Sequence, residues 1–161
     1  MNNNDILRRL RYAFDLSNKQ TAALCSLDPA SSAEISSTAI HSLLVKEDEE
    51  EFAPCSDVQL AAFLDGLIVS RRGLREPAPA AKPVSVDFRL SKNDILKKLR
   101  IAMNFREEDM LRTLNTGGTE LSKAELSALF RNPQHKHYRP CGNQVLRNFI
   151  KGLTHSLRAK D

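Results

Sequence analysis

Residues 4–13 read NDILRRLRYA, and residues 93–102 read NDILKKLRIA. Seven of these ten positions are identical at an offset of 89, and two of the three differences exchange arginine for lysine. At an offset of 86, EISSTAIHSLL from Glu34 aligns with ELSKAELSALF from Glu120, and PCSDVQLAAFLDGL from Pro54 aligns with PCGNQVLRNFIKGL from Pro140. The chain therefore contains one sequence unit twice, and this duplication decides the architecture.

The duplication divides the 161 residues into three parts. We call residues 1–73 unit one and residues 91–161 unit two, and residues 74–90 are the linker between them. The linker contains three prolines among alanines, a composition that stays extended because proline fixes φ and removes a backbone donor. Its last part, residues 84–90, alternates apolar and polar side chains, which predicts a half-buried extended segment.

Apolar residues recur in each unit at the spacing of an α-helix, and four such stripes follow one another. Pairs of capping residues three positions apart mark several of the helix starts. The fold class is therefore all-α, with two homologous four-helix units joined by an extended Pro/Ala-rich linker. The first helices are predicted to begin near Asn2 and Ser91, and the second helices near Ser17 and Arg106. The third helices are predicted to cover 36–46 and 122–131. The fourth helices, central to each core, are predicted to follow Cys55 and Cys141.

Gly66 and Gly152 lie at matching positions inside the fourth helix of each unit. Glycine in a helix interior lowers helix stability by about 1 kcal/mol relative to alanine. Closer packing against another helix, which the missing side chain permits, would offset this loss. The pair predicts a close approach of a second helix in both units.

Charge differs strongly between the two halves. Residues 1–73 contain 7 Lys and Arg against 11 Asp and Glu, net −4, whereas residues 74–161 contain 17 against 9, net +8. The sharpest contrast lies between the third and fourth helices, where residues 47–51 of unit one align with residues 133–137 of unit two. We call residues 47–51 the acidic loop and residues 135–139 the basic loop.

The basic half of the chain raises the hypothesis of nucleic-acid binding, because lysine and arginine gain affinity by displacing counterions from phosphates. The alternative is that these residues only keep the polar face of an amphipathic helix solvated. No signature of sequence-specific readout accompanies them. The candidate contacts for a polyanion are Arg8, Arg9, Arg11, Lys97, Lys98, Arg100, His135, Lys136 and Arg139.

The acidic loop gives a second interpretation, in which the chain is a protein-interaction or self-assembling adaptor. Acidic runs usually form solvated surfaces, but this one has a basic counterpart at the aligned position. Loops of opposite charge on different molecules could then meet, which would produce a homo-oligomer. The candidate partner contacts are Glu47, Asp48, Glu49, Glu50 and Glu51.

Cys55 and Cys141 occupy the same place in both units, between a proline and the predicted start of the fourth helix. A thiol there feels the positive end of the helix dipole, which lowers its pKa and favours reactivity. The alternative is a small apolar residue that closes the helix start. His135 and His137 near Cys141 match no common metal spacing, and unit one lacks both histidines, so neither a metal nor a catalytic dyad is expected.

Other function classes are disfavoured because the sequence lacks their motifs. It has no glycine-rich phosphate loop, no nucleophile elbow and no zinc-protease motif, so we expect no enzyme and no cofactor. The longest apolar stretch is too short for a membrane span. The N-terminus does not resemble a secretory signal, and three cysteines are an odd number, so a cytoplasmic protein without disulfides is expected.

The motifs NDILRRLRYAFDL, VKEDEEEFAPCSD with FLDGLI, and NDILKKLRIA followed by HKHYRPCGNQVLRNFIKGL together resemble the bacterial YehS-like family. That family is a domain of unknown function found in two tandem copies, and the resemblance covers nearly the whole chain. It implies the duplicated helical fold. It brings no substrate, cofactor or catalytic residue with it.

Overall fold

The computed structural model of the chain describes residues 1–30, 34–74 and 88–159. Within these ranges every regular element is an α-helix, and the helices fall four to each unit. This confirms the all-α class and the tandem duplication. The helices are α1 Asn3–Ala13, α2 Asn18–Cys25, α3 Ser37–Leu44, α4 Asp57–Arg72, α5 Lys92–Met103, α6 Glu107–Thr116, α7 Lys123–Leu129 and α8 Asn143–Arg158.

The chain divides into two compact parts, Met1–Leu90, which contains unit one, and Ser91–Asp161, which is unit two. Of the linker, only residues 74 and 88–90 lie within the described part, so most of the predicted extended segment lies outside it. The described end of the linker contacts the first unit, because the backbone N–H of Leu90 donates to the Asp57 carboxylate at 3.0 Å. No helix in the described ranges is long and apolar enough to cross a bilayer.

The helix starts follow from local sequence. Asn2 and Ser91 cap α1 and α5, Ser17 caps α2, and Ser122 caps α7, each in a reciprocal capping box with the residue three positions on. Each box satisfies two backbone donors that a helix start leaves without intrahelical partners. These starts confirm the sequence prediction.

The third helix of each unit is shorter than predicted. α3 ends at Leu44 rather than near residue 46, and α7 ends at Leu129 rather than near residue 131, well before Pro133. Both helices end early because carbonyls of their last turn accept hydrogen bonds from backbone N–H groups of the loop that follows. Ala53 N–H donates to the Ser42 carbonyl at 3.0 Å, and Arg139 N–H donates to the Ala128 carbonyl at 3.1 Å.

The fourth helices supply the centre of each core. In α4, Leu60, Phe63 and Leu64 are at most 1% exposed, and in α8 Leu146 and Phe149 are fully buried. Buried side chains of the other helices surround them, so each unit has its own apolar core.

The two glycines bring α4 against α2 and α8 against α6. A Cβ atom at Gly66 would lie 1.7 Å from the Leu24 carbonyl oxygen, and one at Gly152 would lie 1.9 Å from the Thr113 carbonyl oxygen. Such distances are far inside van der Waals contact, so only glycine permits this approach. The predicted close approach is confirmed in both units.

Candidate functional site

A buried asparagine anchors the loop between the third and fourth helices of unit two. The side-chain amide of Asn93 donates to the carbonyls of Leu129 and Arg139, both at 2.9 Å, and its oxygen accepts the Cys141 N–H at 2.8 Å. Asn93 is 9% exposed, so these bonds lie in a largely dry environment. One side chain of α5 therefore holds both the end of α7 and the returning side of the loop.

Unit one contains the same anchor. The Asn4 amide donates to the carbonyls of Leu43 and Ala53 at 2.9 Å, and its oxygen accepts the Cys55 N–H at 3.0 Å. This asparagine pair was not predicted from the sequence. The available signal was a polar residue at the same position of both repeats, inside the otherwise apolar stripe of the first helix.

The acidic and basic loops share one backbone conformation. In unit one, Glu49 N–H donates to the Lys46 carbonyl and Phe52 N–H to the Glu49 carbonyl, at 3.0 and 3.1 Å. In unit two, His135 N–H donates to the carbonyl of Asn132 at 2.9 Å and Tyr138 N–H to that of His135 at 3.0 Å. The two pairs of turns correspond at an offset of 86, so opposite charges are presented on matching scaffolds.

In the acidic loop, the outer residues are tied to the rest of unit one. Glu47 accepts a 2.7 Å hydrogen bond from the Asn2 side chain, and Glu51 lies 3.1 Å from the His41 ring nitrogen. Residues 48–50 are exposed. Three carboxylates are thus presented outward from the middle of this loop.

In the basic loop, the two histidines contact each other. His137 N–H donates to Nδ1 of His135 at 3.0 Å, and the ring centroids are 5.6 Å apart. Lys136 between them is exposed. Arg139 forms an exposed ion pair with Glu125 at 3.0 Å, so its charge is partly compensated.

A cleft of about 360 Å³ opens beside the basic loop of unit two. It brings together Lys97 of α5, Arg131 after α7, and Tyr138 at the return of the loop. Of the cations predicted from sequence, Lys97 lines the cleft, and Arg131 is a lining cation that the prediction missed. The full lining is Ser91, Asn93, Asp94, Lys97, Leu129, Phe130, Arg131, Asn132, Pro133 and Tyr138.

The cleft has a mixed but net positive lining. Asp94 is its one carboxylate, and one of its oxygens accepts the Ser91 N–H at 3.1 Å. Arg131 donates to the His137 carbonyl at 3.3 Å. Burial raises the pKa of Tyr138, and the nearby Asp94 charge adds to the rise, so the phenol stays neutral and can donate a hydrogen bond.

Two of the predicted cations, Arg11 and Arg100, form hydrogen bonds within their own units. The Arg11 guanidinium donates to the Leu16 carbonyl at 3.1 Å, and that of Arg100 donates to the Phe105 carbonyl at 3.2 Å, at equivalent positions. Arg100 also lies 4.8 Å from the centre of the Phe130 ring. These side chains close the turn after the first helix of each unit, so we leave them out of the binding surface.

The remaining predicted cations are dispersed. Arg8 of unit one forms an ion pair with Asp5, and Arg9 is exposed on the same helix. Lys98 is half-buried on α5 and does not line the cleft, although it follows Lys97 directly. The structure therefore concentrates the candidate site at the cleft and the basic loop.

Of the two interpretations of Cys55 and Cys141, the structure does not support the reactive thiol with a lowered pKa. Burial raises the pKa of Cys55 from 9.0 to about 12 and that of Cys141 to about 11, because desolvation of a thiolate outweighs the helix dipole. Both side chains are buried before the N-caps Ser56 and Gly142. This placement agrees with the alternative of a small residue that closes the helix start.

In the described part of the chain, no three His, Cys, Asp or Glu side chains are grouped so that they could hold a metal ion. The cysteines described are free and buried. The chemistry available at the cleft is therefore that of two cations, a phenol, an aromatic ring and a carboxylate.

Comparison with known proteins gives a family without a known activity. The model of the family described as "Protein of unknown function (DUF1456)" matches residues 3–73 and 92–159, once in each unit. A relative from Escherichia coli strain K12, the uncharacterized protein YehS, is 40% identical over 153 residues, which cover 95% of this chain and 94% of the relative. No solved structure matches the chain.

Proposed function

Since the chain belongs to the DUF1456 family, for which no function is known, we propose a role from the chemistry of the site. The chain is a non-enzymatic binding module that contacts a polyanion, specifically nucleic acid, through the basic face of unit two. The site needs no catalytic group, because counterion release from phosphates supplies the affinity.

The observation that carries this proposal is the placement of Lys97 and Arg131 in one cleft beside the basic loop. Residues 91–161 contain 14 Lys and Arg against 7 Asp and Glu, a net charge of +7. Lys136 and His135 are exposed in the stretch between the lining residues Pro133 and Tyr138. A phosphate backbone passing over the cleft would meet the cations of its lining and of the adjacent basic loop.

The test is a binding titration by gel shift or fluorescence anisotropy with a labelled oligonucleotide at low salt. Changing Lys97→Glu together with Lys136→Glu should weaken binding by at least about tenfold. It should also reduce the slope of log K against log salt by about 2, since two phosphate contacts are lost.

A matched control separates local contact from net charge. Lys123→Glu with Lys151→Glu changes the charge of the same unit by the same amount, at exposed residues that do not line the cleft. The control should retain most of the affinity. Equal losses in both double variants would contradict a site at the cleft, and no binding at low salt would remove nucleic acid as the partner.

The second candidate function is a protein-interaction or self-assembling adaptor. Its support is that the acidic and basic loops have matching backbone turns, so residues 48–50 and the basic loop present complementary charge at equivalent places. Glu49→Lys with Glu50→Lys should dissociate an oligomer in size-exclusion chromatography with light scattering. Glu34→Lys with Glu120→Lys, also exposed, should leave it intact. A monomer at all concentrations would remove the adaptor.

A further inference from the structure

The cleft of unit two combines cations with aromatic side chains, a pairing that suits a nucleotide better than a bare phosphate. We propose that it accommodates one nucleotide of a single-stranded nucleic acid, with the phosphate at Lys97 and Arg131 and the base at Tyr138. The inference rests on the proposed nucleic-acid contact and specifies the form of its ligand.

The size of the cleft favours a single strand. A volume of about 360 Å³ is at the lower end of the range for small-molecule sites, about 300–1,000 Å³. A nucleotide whose base is unstacked can enter such a space. A base pair within a duplex cannot, because its bases are stacked and its strands are held together.

Both cations retain donors for a phosphate. Lys97 is exposed and forms no hydrogen bond or ion pair within the part of the chain that the structure describes. Arg131 uses one terminal nitrogen for the His137 carbonyl, and its guanidinium carries five N–H donors in all. A lysine and an arginine that line the same cleft can both donate to one phosphate.

The remaining lining suits a base. Tyr138 is half-buried, and Phe130, also half-buried, lies in the same cleft with its ring next to the Arg100 guanidinium. A base placed on the tyrosine ring would find the Asp94 carboxylate nearby as an acceptor for an amino group. Base stacking on an aromatic ring is tolerant of sequence, so a general single-strand binder is expected.

Unit one lacks these features at equivalent positions. The counterpart of Arg131 is Val45, and the counterpart of Lys97 is Arg8, which is paired with Asp5. The hydrogen bond from Asn2 to Glu47 spans the place that corresponds to the side of the cleft and adds a carboxylate there. The nucleotide site is therefore specific to unit two.

The chain offers a direct reporter, because it contains two tyrosines and no tryptophan. In a Tyr12→Phe variant of the full chain, all tyrosine fluorescence comes from Tyr138. Addition of a single-stranded oligonucleotide of about 12 residues should quench this emission in step with binding, since a stacked base deactivates the excited ring. The same strand annealed into a duplex should bind at least about fivefold more weakly and quench little.

Substitution gives a second readout. Tyr138→Ala should weaken single-strand binding by about tenfold, while Tyr138→Phe retains most of the affinity, because the ring and not the hydroxyl stacks. Phe52→Ala, at the equivalent position of unit one, is the matched control and should leave the affinity unchanged. Circular dichroism of each variant checks that the helices are intact.

The outcomes separate this inference from the function on which it rests. If neither single-stranded nor duplex oligonucleotide binds, the proposed function fails and the inference with it. If nucleic acid binds while Tyr138 emission stays constant at saturation, or duplex and single strand bind equally, the inference alone is overturned. Quenching that is lost in the Lys97→Glu and Lys136→Glu double variant would support both.

Discussion

The acidic loop and the basic loop have the same backbone turns and the same asparagine anchor, yet they carry opposite charge. The anchor lies inside each unit, whereas the side chains of residues 48–50 and of His135 and Lys136 lie outside. Because the interior determines the loop conformation, the exposed residues could diverge without loss of the fold. The duplication therefore separates what the fold requires from what a partner would recognise.

The largest effect is expected at the anchor. Asn93→Ala removes three hydrogen bonds and leaves two carbonyls and one N–H without partners in a buried region. The free energy of unfolding should fall by about 4 kcal/mol, and Asn4→Ala should cost a similar amount. Urea unfolding measures both. A loss below about 1 kcal/mol in either variant would contradict the role of the anchor.

Gly152→Ala should be the next most costly change, because the new methyl group would overlap the Thr113 carbonyl. We expect a loss of about 3 kcal/mol from the forced separation of α6 and α8, and the same for Gly66→Ala in unit one. Gly142→Ala is the control, since nothing lies within 4 Å of a Cβ atom there. It should cost less than about 1 kcal/mol. Thermal or urea unfolding that ranks the control as equally damaging would refute the close approach.

The buried thiols make the free energy of unfolding depend on pH in the alkaline range. Folding raises the pKa of Cys55 to about 12 and of Cys141 to about 11, from 9.0. The folded chain thus binds these protons more tightly, and the resulting stabilisation is complete below pH 9 and lost as pH rises through the folded values. At about 1.4 kcal/mol per pKa unit, the full loss of stability at high pH is about 4 kcal/mol for Cys55 and about 3 kcal/mol for Cys141.

The charged surroundings of Cys55 and Cys141 differ between the two units. Cys25 and Asp57 raise the pKa of Cys55 further, whereas Lys92 and Arg139 oppose the rise at Cys141. Urea unfolding across alkaline pH, with Cys55→Ala and Cys141→Ala compared, isolates each thiol from lysines and tyrosines that also titrate there. Each substitution should flatten the pH dependence above pH 9, and the flattening should extend to higher pH in Cys55→Ala than in Cys141→Ala. Alkylation of either thiol faster than free cysteine at neutral pH would contradict the burial.

Replacement of the acidic loop by the aligned sequence of unit two should have the smallest effect on stability. Replacing residues 47–51 with the sequence of residues 133–137 keeps the backbone turns, so the free energy of unfolding should change by less than about 1 kcal/mol. The hydrogen bond from Asn2 to Glu47 and the contact between His41 and Glu51 are both lost, but both are exposed and contribute little. A loss of several kcal/mol in urea unfolding would show that each loop requires its own sequence.

Much of the fold followed from the sequence because its determinants are local. Capping boxes such as Ser122 with Glu125 fix helix starts within four residues, and apolar spacing fixes the buried faces. The ends of α3 and α7 did not follow, since they depend on the returning loop and on Asn4 and Asn93. Those contacts join residues 36–51 positions apart.

The candidate site was less accessible to sequence reasoning. Residue type and helix position indicated Lys97 and Lys136, but the meeting of Lys97 with Arg131 and Tyr138 requires the packing of α5 against the end of α7. The choice between a reactive thiol and a small buried residue at Cys55 and Cys141 was likewise open, because desolvation depends on burial that a helix start alone does not reveal.

One fold occurs twice in this chain, and we propose that only the second copy contacts nucleic acid. The most direct test is a titration of the ¹⁵N-labelled full chain with a single-stranded oligonucleotide, followed by amide chemical shifts. We expect shifts concentrated at Lys97, Arg131 and Tyr138, with the equivalent residues Arg8, Val45 and Phe52 unchanged. Shifts of equal size at both sets of positions, or shifts confined to residues outside the cleft and the basic loop, would contradict it.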